Sequence, residues 1–279
     1  MSKITYANKS TGDTVSAVEF NQIKTVVNGL DDGLQNTEVF DPSTRPTFEQ
    51  VQQMIADAIG GGGQPVQAPA VISNTDTSAW FKAEDQSTIT KDGSNNVSEW
   101  RDSLGRSASL ATQSAGQEPI WSSAGIAFTT GISKLYALMP ISQPITIYMV
   151  VKQFGNFADG NRLFYGQDNV TSYGIANGSE PLVYLQAPNE FATRINPYGE
   201  FNVIKFVLNG ANSKILVNNF TEQAGNAGTN AMADFIIGTL YDGFAANTQY
   251  KEIIIRKVAD NSTDETAILN YLKSKYSIS

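Results

Sequence analysis

Four consecutive glycines, Gly60 to Gly63, divide this chain into two parts that cannot share one folding plan. Before them stand two short amphipathic helical patterns. After them come short apolar runs separated by turn signals, closing on a single helical pattern. A glycine run of this kind is a flexible linker. The leading part is too thin to bury an apolar face by itself, whereas the trailing part is long enough for a complete domain.

The first helical pattern starts at Ser16. Ser16-Ala17-Val18-Glu19 is a capping box, with Val15 placed to staple against Phe20. Phe20, Ile23, Val27, Leu30 and Leu34 follow at alternating spacings of 3 and 4, a heptad seam that Gly29 and Gly33 weaken near its end. The turn-rich stretch Asp41 to Pro46 interrupts, and Thr47-Phe48-Glu49-Gln50 opens a second helix with Phe48, Val51, Met54, Ile55, Ala58 and Ile59 on one face. Isolated helices of about 15 residues are marginal in water. Copies of the same chain are the simplest partners, so Phe20, Ile23, Val27, Leu30, Phe48, Val51 and Ile55 are read as oligomerisation positions. The seam does not fix the number of chains, and docking of the two helices on the following domain is the other arrangement it allows.

Composition narrows the function. Hydrophobic residues make up 41% of the 279, enough for a sizeable core. Charged residues are only 16%, against a usual quarter or so. With a net charge of −8 and no basic cluster, nucleic acid is an unsuitable partner, because phosphate contacts need Lys and Arg. The chain has no cysteine and no histidine. Ser-His-Asp and Cys-His catalysis are therefore excluded, as is a histidine-bound zinc. The opening Met1 to Tyr6 leads into no apolar run, and no segment approaches the roughly 20 apolar residues of a membrane span. The sequence reads as a chain without a secretory leader and without membrane insertion.

The first residues resemble a known group. Ile4-Thr5-Tyr6-Ala7-Asn8-Lys9, Gly12-Asp13, Glu19-Phe20-Asn21-Gln22-Ile23-Lys24 and Val27-Asn28 look like the opening of tailed-phage virion fibre and appendage proteins. That resemblance implies a virion location, a homotrimer, and attachment of residues 1–15 to another virion protein. Residues 16–59 would form the stalk, 60–70 the linker and 71–279 the head.

In the head, apolar runs are expected as strands over Ala79–Lys82, Asn96–Arg101, Gly125–Phe128, Ile145–Gln153, Arg162–Tyr165, Tyr173–Ala176, Leu182–Gln186, Phe201–Leu208, Lys214–Val217, Asp234–Thr239 and Tyr250–Lys257. Many short strands between Asn-Gly, Asp-Gly and Gly-Asn turns predict a mainly β sandwich. Asn209-Gly210 marks a hairpin, and Ile145 to Val151 reads as a central strand. Ser262-Thr263-Asp264-Glu265 is a third capping box, opening a C-terminal helix with Ile268, Leu269, Leu272 and Tyr276 as its buried stripe. That helix is expected to cover an edge or an end of the sandwich.

Several segments in this region resemble the concanavalin A-like lectin/glucanase superfamily in its laminin-G-like jelly-roll form. They are Ala79-Trp80-Phe81-Lys82-Ala83-Glu84-Asp85, the Trp-x-Asp-x-x-Gly turn within Val97 to Gly105, Gln117-Glu118-Pro119 with Gly125 to Phe128, Glu252 to Ile255, and Ile268 to Tyr276. The resemblance implies a jelly-roll head. It leaves open lectin, glycosidase, lyase and purely structural roles.

Glycosidases of that superfamily set acidic residues at alternate positions of one strand. No Glu-x-Asp-x-x-Glu occurs here. Glu84 and Asp85 are adjacent and so face opposite sides of a strand. Asp264 and Glu265 belong to a helix start, and Asp102 suits a turn. The chain is accordingly expected not to be an enzyme and to need no cofactor. Calcium at Asp159, Asn161, Asp168 and Asn169 is a weaker alternative, since that ion wants several oxygen ligands together. Tyr165, Tyr173, Tyr184 and Tyr198 lie among loops rich in Asn, Asp and Gly, a composition that suits a sugar face. Asp159, Asn161, Tyr165, Asp168 and Tyr173 are the candidate carbohydrate-binding residues, whereas Trp80 and Trp100 are expected in the core. The function expected is a trimeric fibre or appendage with a lectin-like head for host-surface glycan or particle decoration. A carbohydrate-binding or carbohydrate-active module with an oligomerising segment is the alternative.

Overall fold

The computed structural model describes residues 66–129, 131–154, 162–166, 173–177, 182–193, 199–238 and 247–279. The chain divides into two units, 1–67 and 68–279. The oligomerisation positions and both helices that would carry them lie outside the described residues.

The second unit is a sandwich of two antiparallel sheets. In chain order the strands are β1 (Thr77–Lys82), β2 (Ile89–Lys91), β3 (Val97–Arg101), β4 (Ser109–Ala111), β5 (Ile120–Ser122), β6 (Gly125–Phe128), β7 (Lys134–Ile141), β8 (Ile145–Gln153) and β9 (Arg162–Tyr165). There follow β10 (Tyr173–Asn177), β11 (Leu182–Gln186), β12 (Glu190–Thr193), β13 (Phe201–Leu208), β14 (Ser213–Val217), β15 (Gln223–Gly225), β16 (Met232–Gly238), β17 (Thr248–Arg256) and the helix α1 (Ser262–Tyr276). One sheet runs β15-β14-β13-β8-β17-β6-β5, with β1 beside β6 along the same side of β17. The other runs β12-β11-β10-β9-β16-β7-β4-β3-β2.

β8 shows why the sandwich needs a third layer. Ile145, Ile147, Met149 and Val151 alternate into the main core between the sheets. Tyr148 and Val150, on the opposite face of the same strand, are also fully buried. A strand with two apolar faces must be covered on both sides. The second cover is α1. Its Ile268, Leu269, Tyr271 and Leu272 pack with Tyr148, Val150, Val203, Ile254 and Trp80 on the outer face of the eight-stranded sheet. The helix thus lies over a sheet face, not over an edge or an end as expected from sequence. Each buried Ile or Leu of this layer contributes about 1.5–3 kcal/mol by transfer from water.

The helix start also differs from expectation. Asn261, not Ser262, is the N-cap, and its side chain accepts from the backbone N–H groups of Thr263 and Asp264. Its own amide donates to Asp264 Oδ2 at 2.8 Å, so Asp264 closes the cap. Glu265, freed from that role, reaches Lys205 at 2.5 Å.

Three charged side chains lie buried beside this second core. Lys205 is ion-paired with Glu222 and Glu265. Arg256 holds Asp260 at 2.7 Å and donates to Val71 O and Thr77 Oγ1. Glu252 accepts from Trp80 Nε1, Tyr276 Oη and Lys275 Nζ. Each ties the helix or a flanking segment to the sheet. Among the described residues, no helix is long and apolar enough to cross a membrane.

Candidate functional site

Among the described residues no helix covers the outer face of the nine-stranded sheet, and its composition sets it apart. In β7, Leu135, Ala137, Met139 and Ile141 enter the main core, which turns Lys134, Tyr136, Leu138 and Pro140 outward. In β16, Phe235 and Ile237 are core, which turns Asp234 and Ile236 outward. The register then lines up a row across six strands. Tyr136 stands opposite Ile236, Ile236 opposite Tyr165, Tyr165 opposite Tyr173, Tyr173 opposite Gln186, and Gln186 opposite Glu190. Five strand intervals of about 4.8 Å make this row roughly 24 Å long.

Its middle is tightly built. Tyr165 and Ile236 are 4% and 5% exposed and pack with the half-buried Tyr136. Tyr136 Oη donates to Asp234 Oδ1 at 2.7 Å. That hydrogen bond, aided by burial and by the Asp234 charge, raises the Tyr136 pKa, so the phenol stays protonated. Beside this pair, directly opposite Asp234, Leu138 is 72% exposed. Aromatic and aliphatic surface next to a carboxylate can take the C–H face of a sugar and its hydroxyls together.

Of the residues expected to bind carbohydrate, Tyr165 and Tyr173 are brought together as cross-strand partners. The Tyr165 ring is covered, so it supports the row from below the surface. Asp159, Asn161 and Asp168 lie outside the described residues, as do Asn169 and Tyr198. Tyr184 is on β11, opposite Ile175 and Ala192. Tyr136 and Asp234 were missed by sequence reasoning. They are 98 positions apart, and only the alternation of β7 and β16 could have hinted that both face outward.

Asp102, Glu84 and Glu252 have structural partners. Asp102 Oδ1 accepts from Trp80 N at 2.6 Å and Oδ2 from Arg106 N at 2.8 Å, the turn role expected of it. Glu84 and Glu252 both contact Lys275 Nζ, at 2.6 and 2.7 Å. Burial alone would lower the Lys275 pKa. The Glu252 charge and hydrogen bond, with those to Glu84 and Tyr271, hold it above the ordinary lysine range. Burial, reinforced by Glu252, raises Tyr271 and Tyr276. Trp80 and Trp100 are both buried, in the outer and main cores respectively.

No family model matches this chain. No curated protein matches it either. Solved structures do match. The chain is similar to a Trypanosoma rangeli sialidase at 11% identity and TM-score 0.49, over 91% of this chain and 39% of that one. It is similar to domain 4 of a GH43 extracellular arabinanase from Geobacillus stearothermophilus, solved with arabinotriose, at 14% identity and TM-score 0.47, over 69% and 97%. It is also similar to the receptor-binding domain of botulinum neurotoxin type G at 11% identity and TM-score 0.50, over 71% and 51%. The chain spans about two fifths of the sialidase and half of the neurotoxin domain. At these identities the likeness concerns the β-sandwich fold.

One expectation is corrected by these matches. The chain was expected not to be an enzyme because a paired-carboxylate strand is missing, yet chains of glycosidases are among those it resembles. The criterion was too narrow, since a pair of carboxylates on one strand is not required for every glycoside hydrolysis. Absence of Glu-x-Asp-x-x-Glu does not exclude catalysis.

Proposed function

We propose that this chain is a carbohydrate-binding module whose ligand lies on the outer face of the nine-stranded sheet, along the Tyr136–Glu190 row. The observation that carries this reading is the row itself: three tyrosine positions, an isoleucine, Gln186 and Glu190 in one cross-strand register, with Asp234 hydrogen-bonded to Tyr136. Such a face buries little apolar area per sugar unit, so single sites bind weakly and several copies on one particle bind well. The sandwich is read as the jelly-roll, concanavalin A-like form that its sequence resembles. The botulinum domain, named for receptor binding, has a similar fold; it supports the fold and not the ligand.

The N-terminal resemblance supplies the setting: a virion appendage in which residues 1–15 attach to another virion protein and residues 16–59 bring copies together, presenting the head to a host-surface glycan. A carbohydrate-active module is the second reading, favoured by the glycosidase chains among the fold's relatives.

The test is a glycan array with the full chain, followed by titration of the best ligand against Tyr136→Ala and Asp234→Asn. Both variants should weaken binding about tenfold or more, since each removes a hydrogen-bonded contact worth about 1.5 kcal/mol. Reducing-end release from the same glycans separates the second reading from the first. An array without signal, or a ligand indifferent to both substitutions, overturns the proposal.

A further inference from the structure

On the outer face of the eight-stranded sheet two ammonium groups stand without a salt bridge among the described residues. Lys152 of β8 and Lys251 of β17 both approach the ring of Phe201, at 5.9 and 4.2 Å from its centroid. Lys152 also stands 5.5 Å from the Phe154 ring, and Lys251 5.1 Å from that of Tyr276. The placement is fixed by the ladder. Phe201 is the direct cross-strand partner of Lys152. Lys251 falls where the β17–β8 register shifts between Tyr250 and Glu252. Among the described residues, neither ammonium has a carboxylate within salt-bridge reach. By contrast, Lys205, Lys214 and Lys275 each hold at least one glutamate.

A cavity of about 70 Å³ opens beside Lys251, lined also by Ala83, Glu84, Ser123, Gly125 and Tyr276. Glu84, half exposed and held by Lys275 at 2.6 Å, forms one side of it. The cavity therefore offers a cation and, next to it, a fixed hydrogen-bond acceptor. A bare inorganic anion would meet the Glu84 carboxylate unfavourably. A ligand that carries its own hydroxyl beside its anionic group would satisfy both. Burial lowers the Lys251 pKa, and the Lys152 charge adds to that shift while Glu84 opposes it. A counter-ion from outside would relieve both effects.

We infer that Lys152 and Lys251 form a subsite for the carboxylate of an acidic sugar, with a neighbouring hydroxyl donating to Glu84. It lies on the opposite sheet from the tyrosine row and stands whether or not that row binds glycan.

The test is calorimetric titration of the full chain with trigalacturonate, with its methyl ester and with sodium acetate. The acid is expected to bind, with the ester and acetate at least tenfold weaker. Lys251→Gln and Lys152→Gln should each weaken the acid at least fivefold, and raising salt from 50 to 500 mM should weaken it further, because the attraction is between charges. Lys257→Gln, an exposed lysine elsewhere, should leave it unchanged. Unchanged thermal midpoints show that the lysine variants are folded. Equal binding of acid and ester, acid binding indifferent to both lysine substitutions, or no binding of the acid at millimolar concentration overturns the inference. Acetate binding as well as the acid would reduce the site to a simple anion contact, and this too overturns it.

Discussion

Trp80 Nε1 donates a 2.6 Å hydrogen bond to Oε1 of Glu252, a carboxylate with no exposed surface. The two residues stand 172 positions apart in sequence, on the paired strands β1 and β17. Glu252 Oε2 turns the other way, to Lys275 and Tyr276 at the end of α1. One carboxylate thus joins the first strand of the sandwich, a central strand and the closing helix. A buried charge is tolerable only when its hydrogen-bond capacity is filled in this manner.

Glu252→Ala is therefore expected to destabilise the domain by about 3 kcal/mol. Removing one partner of a buried ion pair typically costs about 3–5 kcal/mol. Here Lys275 keeps Glu84, which places the loss at the lower end. Urea unfolding followed by tryptophan fluorescence measures it. A loss under about 1 kcal/mol would mean that the carboxylate does not hold the three elements together.

Much of this layering was legible and part was not, for identifiable reasons. β6, β8, β9, β11 and β13 have the bounds their sequence predicts, because their apolar runs end at turn residues. β7 was missed despite its clean alternation. Tyr136, Leu138 and Pro140 on its outer face hide the polar half of the period, and Ala137 and Met139 are weak strand formers on the inner one. β2, β4, β5, β12 and β15 have three or four residues each, too few for any period to show. The place of α1 could not be read because the apolar outer face it covers is assembled from β1, β8, β13 and β17. Tyr165 and Tyr173 were found through composition. Their alignment with Tyr136 depends on register, which no local pattern carries.

Gly125 should tolerate no side chain. Its φ is +130°, and a Cβ there would stand 2.5 Å from the carbonyl oxygen of Tyr250. That contact is made by the ladder between β6 and β17, so neither backbone can withdraw without losing pairing. Gly125→Ala is expected to cost at least about 2 kcal/mol, combining backbone strain with the clash. A thermal midpoint within about 2 °C of the parent would contradict this.

Acid should weaken the contact of Lys205 with its glutamates. Burial raises the Glu222 pKa, but hydrogen bonds and charges from Lys205 and Lys214 outweigh it and hold the carboxyl below its ordinary value. A depressed folded pKa means that the unfolded chain binds the proton more readily. The stabilisation is complete above the unfolded carboxyl range and is lost as pH falls through the folded value. Asp260 opposes this, since burial raises its pKa. Glu222→Gln should thus lose less stability than the parent between pH 6 and pH 3 in thermal melts. Parallel pH profiles for the two proteins would exclude Glu222 as a contributor.

We propose that residues 16–59 bring three copies of the chain together. A heptad seam of Phe20, Ile23, Val27 and Leu30 gains nothing as an isolated helix, because nucleation is costly and the apolar stripe stays wet. Three copies would bury that stripe and set three heads side by side, multiplying weak glycan contacts. Light scattering of the full chain, 30.1 kDa per copy, should then report about 90 kDa, three times that mass. Ile23→Asp combined with Ile55→Asp places charges in the seam and should return the mass to that of one chain, while the near-ultraviolet spectrum of the head stays the same. A monomer at micromolar concentration before any substitution would remove the stalk from this account and leave the head to bind its ligand one site at a time.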